Sequence, residues 1–246
     1  NIFYKILKKV CNYIYMQNDK LFLQSKSFFK YFNKSFKNIE KIYLPNHGKK
    51  FINYKIKKNL FIKKNFNILY TGNIGKAQNF ENLLKVAKKI EKKNKNIIFH
   101  FIGEGSYKNK AIEIRNELQI SNVRFYNYMK NNKLNQYIKE SDILLVILKN
   151  DEILNKTVPS KFQNYLASKK PILTFAKGET AKQTIQSKSG YACNPDSIAN
   201  FAKLILKIYK LKNSKILKQK SKNAYNYYKK NFHLNIITKT ITNNLN

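Results

Sequence analysis

Two short stretches carry the residue types from which an anion site is built. In Thr71-Gly72-Asn73-Ile74-Gly75-Lys76, a pair of glycines follows the apolar run FNILYT and precedes an amphipathic run. Backbone N–H groups at such a strand-to-helix turn attract anions, glycines let a diphosphate approach the main chain, and Lys76 adds a charge. The same glycines also suit an ordinary strand-to-helix turn, and their spacing is neither a Walker loop nor GxGxxG. A second glycine turn, Gly103-Glu104-Gly105, follows the next apolar run. Two such turns at one sheet edge favour a cleft there.

The second stretch is VPSKFQNYLASKKP, residues 158–171. Ser160 followed by Gln163 has capping-box spacing, which makes Gln163 a residue that bonds back to a helix start. Lys161 then falls in the first helical turn, where a cation opposes the helix dipole at a cost of ~0.3–1 kcal/mol unless an anion lies in front of it. That misplacement hints at an anionic ligand, although lysine is so abundant in this chain that chance also supplies one. Gly178-Glu179-Thr180-Ala181 repeats the arrangement after PILTF. Glu179 is either an acid suited to a helix start or a carboxylate that accepts hydroxyl hydrogen bonds from a sugar.

Other chemistries lack residues. His47, His100 and His233 are scattered, and Cys11 and Cys193 have no second Cys or His near them at metal-ligand spacing. The two cysteines are expected as buried thiols. With no Ser/His/Asp set, paired carboxylates or metal cluster, hydrolase and metalloenzyme functions have no support.

These stretches need a scaffold that brings strand ends together. From about residue 66, FNILYT, IIFHFIG, VRFYNY, ILLVIL and PILTF read as strands, the first, second and fourth apolar enough for burial on both faces. Residues 80–93 and 111–118 between them have helical spacing, as do 198–209 and 216–228 after a last strand at 190–193. Regular alternation predicts an α/β fold, a doubly wound parallel sheet covered by helices. The first sixty residues differ, with a helix over 2–16, a short strand at 20–24, a second helix over 28–36 and turn chemistry in YLPNHG. That is too little for an independent core.

Composition bounds the partners. The 246 residues are 43% hydrophobic, enough for one large domain, and the formal net charge is +36. Such charge ordinarily suggests nucleic acid, but of 49 basic residues only Arg115 and Arg124 are arginine, the residue that bidentate base and phosphate contacts favour. The 17 Tyr and 17 Phe fall mostly at core spacing rather than in a stacking platform, so nucleic acid is not expected as a partner. Weak attraction to anionic lipid remains compatible with the charge. Apolar runs are too short to span a membrane and no signal-peptide pattern opens the chain, which reads as cytoplasmic, peripheral at most to the inner membrane face.

Taken in order, TGNIGKAQNFENLL, FIGEGSYK, NVRFYNYM, ESDILLVIL, VPSKFQNYLASKKPIL, GETA and SGYACNPDS resemble the carboxyl-terminal half of retaining glycosyltransferases of family 4, with the GT-B fold. The branch that builds bacterial surface polysaccharides, including fucosamine transferases, is particularly similar. The resemblance spans about residues 66–212, and residues 18–46 look like the family's approach from its first domain. It implies a remnant of the first, acceptor-binding domain and the hinge at 1–62, a Rossmann-like nucleotide-sugar donor domain at 63–212, and a carboxyl-terminal helix at 213–246 that packs back toward the first domain. It implies a UDP-sugar donor, a lipid-linked glycan acceptor, and a reaction without metal or other cofactor. On this resemblance Gly72, Asn73, Gly75 and Lys76 face the donor diphosphate. Lys161 reaches a phosphate, Ser160 belongs to the donor-binding set beside it, Asn164 falls where many members place a ribose-binding glutamate, Tyr126 and Tyr128 border the base, and Glu179 lies at the sugar or acceptor side. The family's two glutamates spaced eight apart correspond to Lys156 and Asn164, and Lys169 replaces the usual glycine before Lys-Pro. Most of the first domain is missing, so the chain is expected to transfer little until a first domain, separately encoded or otherwise, completes it. The alternative is a non-catalytic nucleotide-sugar or partner-binding subunit of a split enzyme.

Overall fold

A computed structural model of the chain describes residues 2–49 and 60–245. The end of the 1–62 segment therefore lies partly outside the described residues. The chain opens with α1 (Ile2–Met16), β1 (Lys20–Leu23), a single 3-10 turn (Lys26–Phe28), α2 (Phe29–Ser35) and β2 (Glu40–Tyr43). After the undescribed stretch come β3 (Phe66–Thr71), α3 (Phe80–Glu91), β4 (Ile97–Ile102), α4 (Lys108–Glu117) and β5 (Val123–Tyr126). Then follow α5 (Asn131–Glu140), β6 (Ile143–Ile147), α6 (Glu152–Lys156), α7 (Ser160–Ala167), β7 (Ile172–Phe175), α8 (Gly178–Gln186) and β8 (Gly190–Cys193). Three helices close the chain, α9 (Ile198–Tyr209), α10 (Lys215–Asn231) and α11 (Leu234–Leu245).

The six strands β3 to β8 form one parallel sheet in the order β5-β4-β3-β6-β7-β8. The pattern explains the order. β3 and β6 are buried along their whole lengths and sit centrally, whereas in β5 only Val123 is buried and the strand lies at an edge. Alternate side chains serve opposite faces. Phe66, Ile68 and Tyr70 join Phe80, Leu84 and Ile90 of α3 and Phe201 and Ile205 of α9 in one core layer. Leu69, Leu144 and Val146 join Phe162, Tyr165 and Leu166 of α7 and Ala224 and Tyr228 of α10 in the other. Each fully buried Leu or Phe contributes about 1.5–3 kcal/mol, so the two layers hold the sheet between helices. The chain runs outward from β3 to β5, then returns to β6 on the other side of β3. With all six strands parallel, the loops that follow them gather along the carboxyl edge of the sheet.

The amino-terminal elements form a small separate sheet. β1 and β2 pair in parallel, Lys20 opposite Glu40 through Leu23 opposite Tyr43, over buried Leu21, Leu23, Phe36 and Ile42. β2 is a strand that the sequence pattern does not announce: only its last residue, Tyr43, belongs to the turn-rich stretch YLPNHG. α5 and α6 also went unread. α1 buries none of its side chains. Cys11 is consequently exposed, and Cys193, at the end of edge strand β8, is only half-buried, so neither is the buried thiol expected. The carboxyl-terminal segment forms two helices rather than one, because the chain breaks around Phe232, which inserts into the core at 1% exposure. No helix among the described residues is long and apolar enough to cross a membrane.

Candidate functional site

The crevice beyond β3, β4 and β5 holds a cavity of about 500 Å³ with three walls. The first is the end of β3 with Gly72 and Asn73, the second Ser160, Lys161 and Asn164 of α7, and the third the loops after β4 and β5, with Glu104, Tyr128 and Met129. Ile102 and Leu134 make the third side apolar.

Gly72 has φ +115°, a conformation L side chains rarely adopt, and its N–H donates to the Ile102 carbonyl at 2.9 Å. Gly103 is held even more closely, since a Cβ there would lie 2.0 Å from the Gly72 carbonyl oxygen. Ile74 N–H donates to the Glu104 carbonyl (2.8 Å) and Tyr107 N–H to the Ile74 carbonyl (2.9 Å), so the two glycine turns form one welded rim. The Gly75 N–H is engaged as well, donating to Gln78 Oε1 at 2.9 Å. The glycines thus shape the wall, while the Gly72 and Gly75 amides bond within the protein.

The cation of the site is Lys161. α7 begins at Ser160 with Pro159, at φ −67° and ψ 140°, in the capping position and no side chain capping it. This corrects the capping box: proline takes the extended position that Ser160 was expected to fill, which leaves the Ser160 side chain exposed at the cavity rim. Gln163, oriented to satisfy its amide, donates to the carbonyls of Pro159 (2.9 Å) and Ser160 (3.2 Å). Lys161 therefore projects from an uncapped, positive helix start. Its Nζ lies 3.6 Å from the centroid of the Tyr70 ring and 3.4 Å from where a Cβ on Gly72 would be. That Nζ is buried and has no hydrogen-bond partner. Burial alone lowers its pKa from the ordinary 10.5 to about 7.

Sequence reasoning missed the residues beneath this lysine. Tyr70 supplies the ring on which the ammonium rests, and its hydroxyl donates to the Asn73 carbonyl, bracing the glycine turn. Burial pushes the Tyr70 hydroxyl well up, with Tyr165 beside it adding to the effect. Tyr165 accepts the Thr71 N–H at 2.8 Å and is likewise pushed up by burial, to about 12. Both phenols stay neutral, so neither neutralises Lys161.

Of the sequence-predicted residues, Gly72, Asn73, Tyr128, Ser160, Lys161 and Asn164 line this one cavity. Asn164 also ties in the segment before the undescribed stretch, since its Oδ1 accepts the Lys49 N–H at 2.8 Å. Gly75 is buried and Lys76 exposed, both outside the lining. Tyr126 is directed elsewhere, its hydroxyl 3.0 Å from Nδ1 of His100, whose pKa burial drops to about 3. Glu179 is 4% exposed at the start of α8. Its Oε1 accepts from Gln183 within α8 at 3.0 Å and its Oε2 from the Ser27 hydroxyl at 2.6 Å, which ties the 3-10 turn of the amino-terminal segment to α8.

Comparison with known proteins bears on the family and the fold. The family model described as glycosyl transferases group 1 matches residues 52–230. A glycosyl transferase assigned to colanic acid biosynthesis, WcaI of Escherichia coli (strain K12), is 30% identical over 100 residues, which are 41% of this chain and 24% of that protein. Sucrose-phosphate synthase from Thermosynechococcus elongatus superposes with a TM-score of 0.80 at 15% identity, covering 96% of this chain and 59% of the other. WaaG, a glycosyltransferase involved in lipopolysaccharide biosynthesis, gives 0.72 at 15% identity over 89% of this chain and 60% of the other. Anabaena HepE, solved with UDP and glucose, gives 0.77 at 12% identity over 96% of this chain and 66% of the other. The chain thus spans about a quarter of the curated relative and some three-fifths of the first two of these solved chains. The structural likenesses establish the shared fold, and the family model, which covers most of the sequence, shows that the chain belongs to the group 1 glycosyl transferases.

Proposed function

We propose that the chain is the donor-binding half of a glycosyltransferase and holds a nucleoside-diphosphate sugar in the crevice beyond β3, β4 and β5. The diphosphate lies against Lys161 and the start of α7, beside Gly72 and Asn73, and the base lies toward Ile102, Tyr128, Met129 and Leu134. Ser160 and Asn164 contact the phosphate and ribose. One observation carries this reading: the buried Lys161 Nζ has no hydrogen-bond acceptor. Burying an ammonium without a partner is expensive, and a diphosphate supplies both opposite charge and strong charge-assisted hydrogen bonds. The same charge and the helix start would stabilise a departing nucleoside diphosphate, the role that transfer requires. UDP leads among nucleotides because HepE, of like fold, was solved with it.

The family resemblance extends the proposal to a retaining transfer, with Gly75 and Lys76 near the diphosphate and Glu179 toward the sugar or acceptor. The colanic acid and lipopolysaccharide relatives support surface-polysaccharide synthesis, and the family resemblance extends this to a lipid-linked glycan acceptor at the cytoplasmic membrane face. A first domain, in this or a separate polypeptide, completes the enzyme. The exposed Ile6, Leu7, Val10 and Ile14 of α1 and the parallel pairing of β1 with β2, a sheet of two strands among the described residues, support that need.

Calorimetric titration of UDP tests the donor site. The wild-type chain should bind, and Lys161→Met, which keeps the apolar stem, should bind at least about tenfold more weakly. Equal affinity in the two proteins, or no wild-type binding at millimolar UDP, would sink the proposal.

A further inference from the structure

The third wall of the cavity consists of two loops that share no strand pairing of their own beyond the ends of β4 and β5, and something must hold them in register. Lys108, in the first turn of α4, is 8% exposed, an unusual state for a lysine on a helix of the protein's outer layer. Its Nζ donates to Glu104 Oε1 (2.8 Å) in the loop after β4, and to Asn127 Oδ1 (2.9 Å) and the Tyr126 carbonyl (3.3 Å) at the end of β5. Glu104 Oε1 also accepts the Tyr128 N–H at 3.2 Å. One ammonium and one carboxylate thus cross-link both loops, and every one of these bonds is charge-assisted. Lys108 itself does not line the cavity, whereas Glu104 and Tyr128 do.

We infer that Lys108 is a positioning residue that fixes the loops after β4 and β5 as the wall receiving the nucleoside, and so sets affinity for the nucleoside part of the donor. This rests on the donor-site reading above. Glu104 is the charge partner from the adjoining loop, and Lys108 holds its carboxyl below the usual carboxylate range. The geometry separates two tasks: Lys161 and Tyr70 lie on the side proposed for the diphosphate, and the hydrogen bonds of Lys108 fall on the opposite wall.

The test combines UDP titration with amide NMR spectra of the ligand-free protein. Lys108→Met should lower UDP affinity about tenfold, the scale of a lost loop preorganisation. Without ligand, its amide signals at Asn127, Tyr128 and Met129 should shift or broaden clearly more than those of Gly72, Asn73 and Gly75, whose turn bonds to the Glu104 loop through backbone groups. Asn127→Ala, an exposed substitution that removes one acceptor, should give a smaller loss of about threefold. Unchanged UDP affinity in Lys108→Met, or shifts spread equally over both walls, would overturn the inference; should that variant fail to fold, unchanged affinity and loop signals in Asn127→Ala would do so. Failure of the wild type to bind UDP would instead refute the donor reading, and the ligand-free spectra would still report whether Lys108 holds the loops.

Discussion

Lys161 concentrates the chemistry of this chain in one side chain. Its folded pKa of about 7 lies below the ordinary 10.5 because burial penalises the charge. Between these values the unfolded chain binds more protons than the folded one, so this residue makes the empty protein more stable as pH rises through that window. Binding has the opposite dependence. An anion requires the charged form, so above pH 7 each UDP bound must draw a proton onto Lys161, and affinity should fall by up to about tenfold per pH unit toward pH 9. UDP's terminal phosphate is already ionised there, its own titration lying near ~6. Calorimetry over this range should find that slope in the wild type and its loss in Lys161→Met; a flat wild-type profile would contradict the assignment. Lys161 was legible in the sequence because a cation in a helix's first turn is misplaced. Tyr70 was not, since only the folded sheet brings its ring beneath that lysine.

At the scale of elements, the rim of the site depends on two loops pressed into contact. Gly103→Ala would drive a methyl into the Gly72 carbonyl, at a φ of +153° that L residues avoid. It should destabilise the protein by about 2–4 kcal/mol in denaturant unfolding, a combination of overpacking and backbone strain. A loss below about 0.5 kcal/mol would show that the turns are not welded. Central strands such as FNILYT and ILLVI could be read from sequence because burial on both faces demands continuous apolar runs. α5 could not, because only Tyr137 and Ile138 of its Asn- and Lys-rich sequence are buried. The Ser160 capping box failed because the extended backbone of Pro159 already starts the helix. β2 escaped because its partner β1 lies across an intervening helix, a pairing that local pattern does not encode.

For the whole molecule, the order β5-β4-β3-β6-β7-β8 brings the loops after β3, β4 and β5 side by side at one edge of the sheet, where the cavity lies, and the strand and helix alternation of the sequence anticipated a cleft at that edge. The attachment of the amino-terminal segment to α8 through Ser27 and Glu179 was not legible, since the two residues are 152 apart in sequence. That fastening gives Glu179 a structural partner in addition to its proposed place near the sugar. The lysine-rich surface adds a diffuse attraction for any anion, so affinity alone is weaker evidence than the location of binding. UDP titrated into isotopically labelled protein, followed through backbone amide signals, tests the central claim most directly. The account predicts saturable shifts at Gly72, Asn73, Ser160, Lys161 and Tyr128, with little change along β7 and β8. Signals at those positions that stay still at millimolar UDP, or shifts scattered over the basic surface, would contradict it.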